Sequence, residues 1–542
     1  MANKSDDVAG EPQHYDRDQD KSIMDSGSTQ VGLGDLMALD GVDQALAAKM
    51  NLVNDAIDTI GFTGYHTKLF FLNGFGCEKP IEQRLKVLPT NHDFQIFRYG
   101  VDSLLLFLMS ISADQVGAQY PPKFSRGAQL GFYLALLAGA LFWGSTADII
   151  GRKWAFNFSL LISAIFAITA GAAPSYAGWA TMVALSAFGS GGNLVLDTTV
   201  FLEYLPSNKQ WLLTLLAGWW GVGQTVAGLI AWGYMAKYSC PTDGSVPCTN
   251  ANNMGWRYLF YTAGALVFIL SIARVLVIRF HETPKFLLCQ GRDEDVVKTL
   301  QDLANNHNRV CRLTLDQLQA HGQIHSSHAQ NKASFSELAV HVRGLFVTKT
   351  LALSTSLVWL SWALIGLGYA LYYVYLPEYL ASRDTSSGSD STYLTWRNYA
   401  ITNLCAIPGP IIAGFMCEMP MFGRKRTMAI GAFLTMIFFF GYTAVKTDAQ
   451  NLGFSCAISV AINIYYATLY AYTVEVLPSA HRGTGNGIAV SLNRLMGMVS
   501  ALIGAFTSTA SSVPIYVCAA LLGMGGILAI LFPLETRGKK SI

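Results

Sequence analysis

The sequence predicts an all-α membrane protein with twelve transmembrane helices arranged as two groups of six. Of its 542 residues, 52% are hydrophobic and only 13% are charged. Because a soluble protein carries about 25% charged residues, this deficit indicates that lipid is the main solvent. The chain also has 50 glycines, which allow transmembrane helices to approach each other closely.

Apolar stretches near the roughly 20 residues that span a bilayer follow a polar N-terminal segment. That segment lacks the apolar region of a secretory signal and is predicted to be disordered or loosely helical over residues 1–65. The predicted spans are 99–119, 127–149, 153–173, 178–202, 211–235, 256–280, 344–376, 395–417, 426–446, 452–476, 484–508 and 512–533. The predicted regions are a polar tail 1–98, a six-helix half 99–280, a central loop 281–343, a six-helix half 344–533 and a tail 534–542.

Lysine and arginine are concentrated in the loops on one side of the predicted bundle, for example at 152–153 and 424–426. Basic loops stay cytoplasmic, so both termini and the central loop are expected in the cytoplasm of a multi-pass plasma-membrane protein. The segment that contains Cys240 and Cys248 then faces an oxidising side. The sequence leaves two alternatives for Cys240 and Cys248, a disulfide or two free thiols.

An internal repeat supports the two halves. The sequence Gly-Arg-Lys at Gly151 returns at Gly423, and Glu203 in LEYLPS returns as Glu475 in VEVLPS. Both pairs are 272 residues apart. A duplicated six-helix half explains both coincidences, and parallel halves of this kind are one known transporter plan.

These landmarks resemble the major facilitator superfamily. The segment Gly144–Lys153 resembles its signature between helices 2 and 3, while HETPKFLL and LETRG resemble the sugar-porter motifs after helices 6 and 12. YTVEVLPSAHRGTGNG and GSGGNLVLDTTVFLEYLPS are similar to the synaptic-vesicle-glycoprotein-like, organic-ion branch. The second-half loop departs from the signature with Pro420 in place of the aspartate, and helix 7 lacks the paired glutamines of sugar porters. The resemblance implies the major facilitator fold and a transport function.

The resemblance also implies conformational gating by residues at the cytoplasmic ends of helices. Charge pairs there would hold the two halves in one state, although basic residues at these ends also satisfy the positive-inside rule alone. The candidates are Gly144, Asp148, Gly151, Arg152, Lys153, Glu203, Glu282, Gly423, Arg424, Lys425, Glu475, Arg482 and Glu535.

Ionisable groups within spans are costly and therefore mark function or a fixed ion pair. Asp102 and Asp197 are candidates for proton coupling or for binding substrate charge. The alternatives are a fixed pair with Arg274 or Arg494, or a position at the lipid interface. Further polar or aromatic groups on predicted cavity-lining helices could bind substrate or join helices. They are Asn193, Gln224, Trp359, Tyr372 and Asn403.

Residues 77–98 are predicted to be a foreign insert in helix 1. This segment has seven charges in 22 residues and contains prolines. Joining FFLNGFG directly to Tyr99 gives 22 residues, about 33 Å of helix, with Asp102 near the middle. A retained intron, a variant loop and a pseudogene-like product are the possible causes.

The sequence therefore predicts a secondary active transporter that moves a small organic solute by alternating access, with protons as a candidate coupling ion. Alternatives are an efflux antiporter for a metabolite or toxin and a non-transporting receptor with a transporter fold. The chain lacks GxxxxGK[ST] and the sequence signatures of hydrolytic enzymes, so we expect neither an enzyme nor a cofactor. The irregular spacing of the central-loop histidines favours a solvated loop over a metal site. We expect a monomer in the lipid bilayer that binds no nucleic acid.

Overall fold

A computed structural model gives the fold. It describes residues 44–67, 99–124, 126–150, 152–191, 201–206, 209–241, 246–277, 283–322, 342–382, 389–478, 481–506 and 512–537. The predicted insert 77–98 lies outside these residues, and the first spanning helix begins at Tyr99.

The first part of the chain supplies one N-terminal helix and the helices of the first half. They are α1 Gln44–Ile60, α2 Tyr99–Gln119, α3 Gly127–Ile150, α4 Arg152–Gly171, α5 Tyr176–Ser190, α6 Leu212–Leu216, α7 Gly218–Tyr238 and α8 Gly255–Val277. The central segment follows with α9 Pro284–Cys289, α10 Asp293–Asn305 and α11 Leu315–Gln319.

The second half repeats the helical pattern. Its helices are α12 Lys349–Tyr373, α13 Leu376–Ser382, α14 Ser389–Leu404, α15 Pro408–Glu418, α16 Gly423–Tyr442, α17 Asp448–Val476, α18 Arg482–Phe506 and α19 Val513–Leu531. The predicted continuous span 395–417 is in fact two helices that are separated before Pro408. Proline has no backbone N–H and clashes with the preceding turn, so it starts a new helix here.

Hydroxyl side chains fix where several of these helices begin. Ser175, Thr348 and Thr447 each accept a hydrogen bond from a backbone N–H in the first turn, over 3.2 to 3.3 Å. A helix N-terminus leaves four N–H groups without intrahelical partners, and a Ser or Thr cap satisfies one of them.

The outer surface of the bundle suits a bilayer. Within the described residues, seven helices are long and apolar enough to cross a membrane, and two shorter apolar helices span Gly127–Trp143 and Phe158–Gly171. Large apolar side chains project outward along these helices, with Ile269 at 62% and Phe415 at 58% exposure. Such a continuous apolar surface is stable in lipid and would aggregate in water.

Corresponding helices pack against each other in the two halves. Helix α4 packs on α8 in the first half, and the corresponding α16 packs on α19 in the second. Between the halves, α3 contacts α18 and α7 contacts α14. Cys240 and Cys248 form a disulfide at one end of the bundle, which we call the disulfide end. We call the opposite end, with Gly423, the basic end.

A helical bundle at the basic end contains parts of the N-terminal segment, predicted to be disordered or loosely helical, and of the central loop, predicted to be solvated. Helix α1 is amphipathic and buries Leu46, Met50, Val53 and Ile57 against α9–α11, whose inward side chains include Leu300. The 4-3-4 spacing of the α1 residues is a helical stripe, and burying it stabilises a helix that would be marginal alone. Lys49 Nζ lies 2.6 Å from Asp293 Oδ2 in a pair that is largely buried.

The segment after α1 docks on the end of the fourth span through His66. The Thr63 backbone N–H donates to His66 Nδ1 at 3.0 Å, so the ring proton is on Nε2. Nε2–H then donates to the Tyr204 carbonyl at 2.7 Å. His66 is fully buried, and this burial lowers its pKa to about 4. The neutral ring therefore ties the N-terminal segment to residue 204, beside the predicted gating residue Glu203.

Candidate functional site

A cavity lies between the two halves, near the middle of the bundle. Helices α2, α3 and α7 form one wall, and α12, α17 and α18 form the other. Its volume is about 50 Å³, enough for water molecules only. The lining residues are Leu106, Phe107, Ser110, Phe132, Tyr133, Trp220, Gly366, Tyr369, Ala370, Tyr373, Val374, Tyr466, Asn493 and Arg494.

Aromatic rings make up much of the cavity wall. Tyr369 stacks on Tyr373 with ring centroids 4.3 Å apart and meets Tyr466 at 5.2 Å. Phe107 of the first half contacts Tyr373 edge-on at 5.9 Å. The rings supply a large, rigid apolar surface with hydroxyl groups at its edge, which is typical of sites for small organic molecules.

The Tyr369 hydroxyl joins the two halves across this cavity. Trp220 Nε1–H donates to it at 3.1 Å, and Gln224 Nε2–H donates to the same oxygen. Both donors belong to α7 and the acceptor belongs to α12. Gln224 is fully buried, and its Oε1 has no hydrogen-bond partner in the described part of the chain. A buried carbonyl without a partner is costly, so it can accept a hydrogen bond from a ligand.

Arg494 brings a positive charge into the cavity wall. The residue is 6% exposed, and its Nη1 lies 3.5 Å from Asn493 Oδ1, a weak contact. Among the described residues, its Nε has no hydrogen-bond partner and no carboxylate lies within 4.0 Å of the guanidinium. The sequence predicts Arg494 only as an ion-pair partner for Asp102 or Asp197, whose side chains lie outside the described residues. Burying an uncompensated guanidinium is expensive, which makes this cavity attractive for an anion.

The candidates for substrate or proton binding lie in different places. Of these, Gln224 reaches the cavity through Tyr369. Trp359 donates to the Gly485 carbonyl at 3.1 Å, Tyr372 to that of Ser455 at 3.3 Å, and Asn403 to that of Tyr399 at 2.9 Å. None of these three lines the cavity. Trp359 and Tyr372 join different helices, whereas the Asn403 bond lies within α14. The Asp102 backbone is in the first turn of α2, but its side chain, Asp197 and Asn193 lie outside the described residues.

At the basic end, Arg424 forms a buried ion-pair network. Its Nη2 lies 3.0 Å from Glu475 Oε1 and its Nε 3.2 Å from Oε2, a bidentate pair with both side chains at most 2% exposed. Glu418 adds a second carboxylate at 3.5 Å, and Thr536 donates to Glu475. The pairing satisfies both buried charges.

Glu535 supports this network from the chain's C-terminal segment. Its carboxylate accepts from the backbone N–H groups of Arg424 at 2.9 Å and Lys425 at 3.2 Å. An acidic group at a helix N-terminus is favoured by the unpaired N–H groups and the helix dipole. Gly423 has φ +61°, and a Cβ there would lie 2.9 Å from the Glu535 carboxyl carbon. The glycine thus allows the carboxylate to approach the start of α16.

The other predicted gating residues are at the same end. Glu203 is buried, and Arg482 Nε donates to the Leu477 carbonyl at 3.3 Å. Gly144 and Asp148 lie in the last two turns of α3, and Arg152 and Lys153 open α4. The structure does not describe the side chains of these four residues, and Gly151 and Glu282 also lie outside the described residues. At the opposite end, the structure places a disulfide between Cys240 and Cys248, with Cα atoms 5.6 Å apart.

Comparison with known proteins identifies the family. A family model described as Sugar (and other) transporter matches residues 127–541. The chain belongs to this family. The transporter is 37% identical over 520 residues to MFS siderochrome iron transporter 1 of Ceriporiopsis subvermispora, with 94% of each chain covered. It is 38% identical over 529 residues to an uncharacterised MFS-type transporter of Schizosaccharomyces pombe, which covers 94% of this chain and 92% of the relative.

A solved structure of the proton:xylose symporter XylE, bound to 6-bromo-6-deoxy-D-glucose, shares the fold of the transporter. The TM-score is 0.58 at 16% identity, over 91% of this chain and 98% of the symporter. The predicted twelve-helix major facilitator fold is therefore confirmed. The relatives are transporters, which also confirms the prediction that the chain is not an enzyme.

Proposed function

We propose that this transporter moves a small organic anion by secondary active transport with alternating access. The observation that carries the proposal is Arg494, a buried guanidinium with no carboxylate partner among the described residues, in the wall of the central cavity. An anionic group on the substrate would supply the missing charge, and the carboxylate is the commonest such group in small organic solutes. The tyrosine rings would hold its apolar part.

The size of the cavity supports alternating access. Sites for small molecules occupy roughly 300–1,000 Å³, whereas this cavity measures about 50 Å³. A substrate can therefore enter only when the halves separate at one end. Separation would break the contacts of Tyr369 with Trp220 and Gln224, and a bound substrate would replace them. The structural relative is named as a proton symporter, which supports coupling of this transporter to protons.

The experiment measures uptake of acids against their amides. Purified protein in proteoliposomes is given a panel of labelled aromatic and aliphatic monocarboxylates, each with its neutral amide. We expect uptake of acids without their amides, loss of that uptake in Arg494→Gln, and partial retention in Arg494→Lys. Uptake of amides as fast as acids, or full activity of Arg494→Gln, would exclude an anion site at Arg494. Binding without any flux would favour the receptor alternative.

We propose that the disulfide end faces outside and the basic end faces the cytoplasm, in the plasma membrane with both chain termini inside. Val246 at the disulfide end is 46% exposed, and Val310 in the basic-end bundle is 66% exposed. In intact cells, an impermeant thiol reagent should label Val246→Cys and spare Val310→Cys. The reverse labelling would invert this topology.

We further propose gating roles for Asp148 and Arg152 and coupling roles for Asp197 and Asp102, whose side chains the structure does not describe. Asp148→Asn or Arg152→Ala should slow uptake at normal membrane abundance, and Asp197→Asn should uncouple uptake from the proton gradient. Asp102 is proposed as a coupling group in a chain without residues 77–98, which would place it near the middle of helix 1. Sequencing transcripts and assaying the chain with and without 77–98 tests this.

A further inference from the structure

An ion pair at the disulfide end joins the two halves. Arg126, just before α3, donates from Nη1 to Glu378 Oε1 at 3.0 Å and from Nη2 to Oε2 at 3.2 Å. Glu378 lies on α13, which follows α12 of the second half. Both side chains are about one-fifth exposed, so the bidentate pair is shielded from bulk water in part. We call this pair the disulfide-end latch.

Aromatic and polar neighbours reinforce the latch. The Arg126 guanidinium lies over the Tyr375 ring, 4.7 Å from its centroid, and the Tyr375 hydroxyl donates to Gln129 Oε1 at 2.9 Å. Tyr375 belongs to the second half and Gln129 to the first, so this hydrogen bond also crosses between halves. Partial burial alone would lower the pKa of Arg126, but the Glu378 carboxylate outweighs it and raises that pKa above its ordinary value.

A second carboxylate interacts with Arg126 from its own half. Asp114 lies on α2 near the disulfide end, and it interacts electrostatically with both Arg126 and Glu378. Its side chain is exposed and forms no ion pair with any described residue. One guanidinium thus stands near two carboxylates, one on each half, and pairs with the one on the opposite half.

We propose that Asp114 receives Arg126 when the halves separate at the disulfide end. The proposal rests on alternating access, which requires the latch to break. Opening separates Arg126 from Glu378. Without another carboxylate for Arg126, the loss of this ion pair would favour the closed state. Because Asp114 and Arg126 belong to the same half, they remain neighbours in the open state and can pair there. Glu378 therefore stabilises the closed end, and Asp114 stabilises the open one.

This assignment predicts opposite effects for two carboxylate-to-amide substitutions. Ser110 lines the central cavity, so Ser110→Cys reports access to it in a protein whose free cysteines are serine. In Glu378→Gln the rate of labelling by an impermeant thiol reagent from the disulfide end should rise by roughly 1.4-fold to fivefold, the range for an exposed ion pair. In Asp114→Asn the rate should fall below that of the parent. Lys123→Gln, an exposed charge in the same loop, is the control and should leave the rate unchanged.

The charge exchange Arg126→Glu with Glu378→Arg gives a second measurement if a single variant folds poorly. It should restore the closed latch and lower labelling again, whereas Arg126→Glu alone should raise it. A rise or no change in Asp114→Asn would overturn the transfer to Asp114, and no rise in Glu378→Gln would overturn the latch. Labelling needs no substrate, so a failure here is separate from a failure of the anion assay. If Ser110→Cys is labelled in both variants only from the basic end, the latch proposal also fails.

Discussion

Arg424 and Arg494 are both buried on helices of the second half, yet their surroundings differ. Arg424 at the basic end has a bidentate pair with Glu475 and a further carboxylate in Glu418. Arg494 in the central cavity has a weak contact with Asn493, and no carboxylate of the described residues lies within 4.0 Å of it. A charge that is fully paired inside the protein stabilises the fold, because removing one partner leaves the other buried alone. A charge without a partner is available to a ligand, and its retention in the core at an energetic cost indicates function.

Removing Arg424 should have the largest effect on stability. In Arg424→Ala, Glu475 stays buried without its cation, and we expect a loss of about 3–5 kcal/mol in the free energy of unfolding. Thermal unfolding of the purified protein measures this loss. The double variant Arg424→Met, Glu475→Leu removes both charges and should be more stable than Arg424→Ala. Equal stability of the two variants would show that the pairing contributes little.

Changing Gly423 tests whether the contact of Glu535 with the start of α16 contributes to stability. Alanine would place a Cβ 2.9 Å from the Glu535 carboxyl carbon at a backbone φ of +61°, which alanine rarely adopts. We expect Gly423→Ala to cost about 1–3 kcal/mol. Gly453→Ala is the matched control, because no neighbour lies within 4 Å and the site is helical. That control should be neutral or stabilising by about 0.5–1 kcal/mol; a similar loss in both variants would contradict the close approach of Glu535.

His66 is a buried group that is satisfied as a neutral ring, so acid should weaken its docking. Its pKa is lowered from 6.5 to about 4 in the docked segment, and docking is strongest above pH 6.5. As the pH falls from 6.5 towards 4, the released ring binds a proton that the docked ring does not. Docking should therefore weaken by about 1.4 kcal/mol at pH 5.5.

Spin labels at Thr67→Cys and Lys209→Cys can follow this docking by distance measurement. The distribution should broaden at pH 5.5 and sharpen at pH 7.5. His307 lies close to this segment, where a Cβ at Gly64 would be 3.6 Å from its ring, and His307→Gln should keep the pH response. Loss of the response in His307→Gln would assign it to His307 instead.

Removing the charge of Arg494 should have the smallest effect on stability, without the large loss expected for Arg424. Arg494→Gln removes a buried charge that has no carboxylate partner among the described residues, so its unfolding free energy should lie within about 0.5 kcal/mol of the parent or above it. Thermal unfolding of the two variants side by side measures this contrast. Strong destabilisation of Arg494→Gln would mean that Arg494 has a structural partner and that the comparison with Arg424 fails.

The sequence alone determined the membrane class, the two halves and the family. Hydropathy depends on local composition, so it located α2, α3 and α16 within a few residues of their ends. The repeat of Gly-Arg-Lys and of the glutamate in LEYLPS needed only sequence spacing. Arg424 and Glu475 were identified as charges at the same end, because a signature loop and a helix end can be read locally.

Tertiary structure decided which charges have partners. The lack of a carboxylate within 4.0 Å of Arg494 among the described residues depends on how whole helices pack. So does the pairing of Arg126 with Glu378, 252 residues away. The helix α1 had a local apolar stripe, but its partners lie more than 220 residues further along the chain, in α9–α11. Burial and pairing are properties of contacts between distant segments, and no local pattern specifies which distant segment an apolar face or a charge will meet.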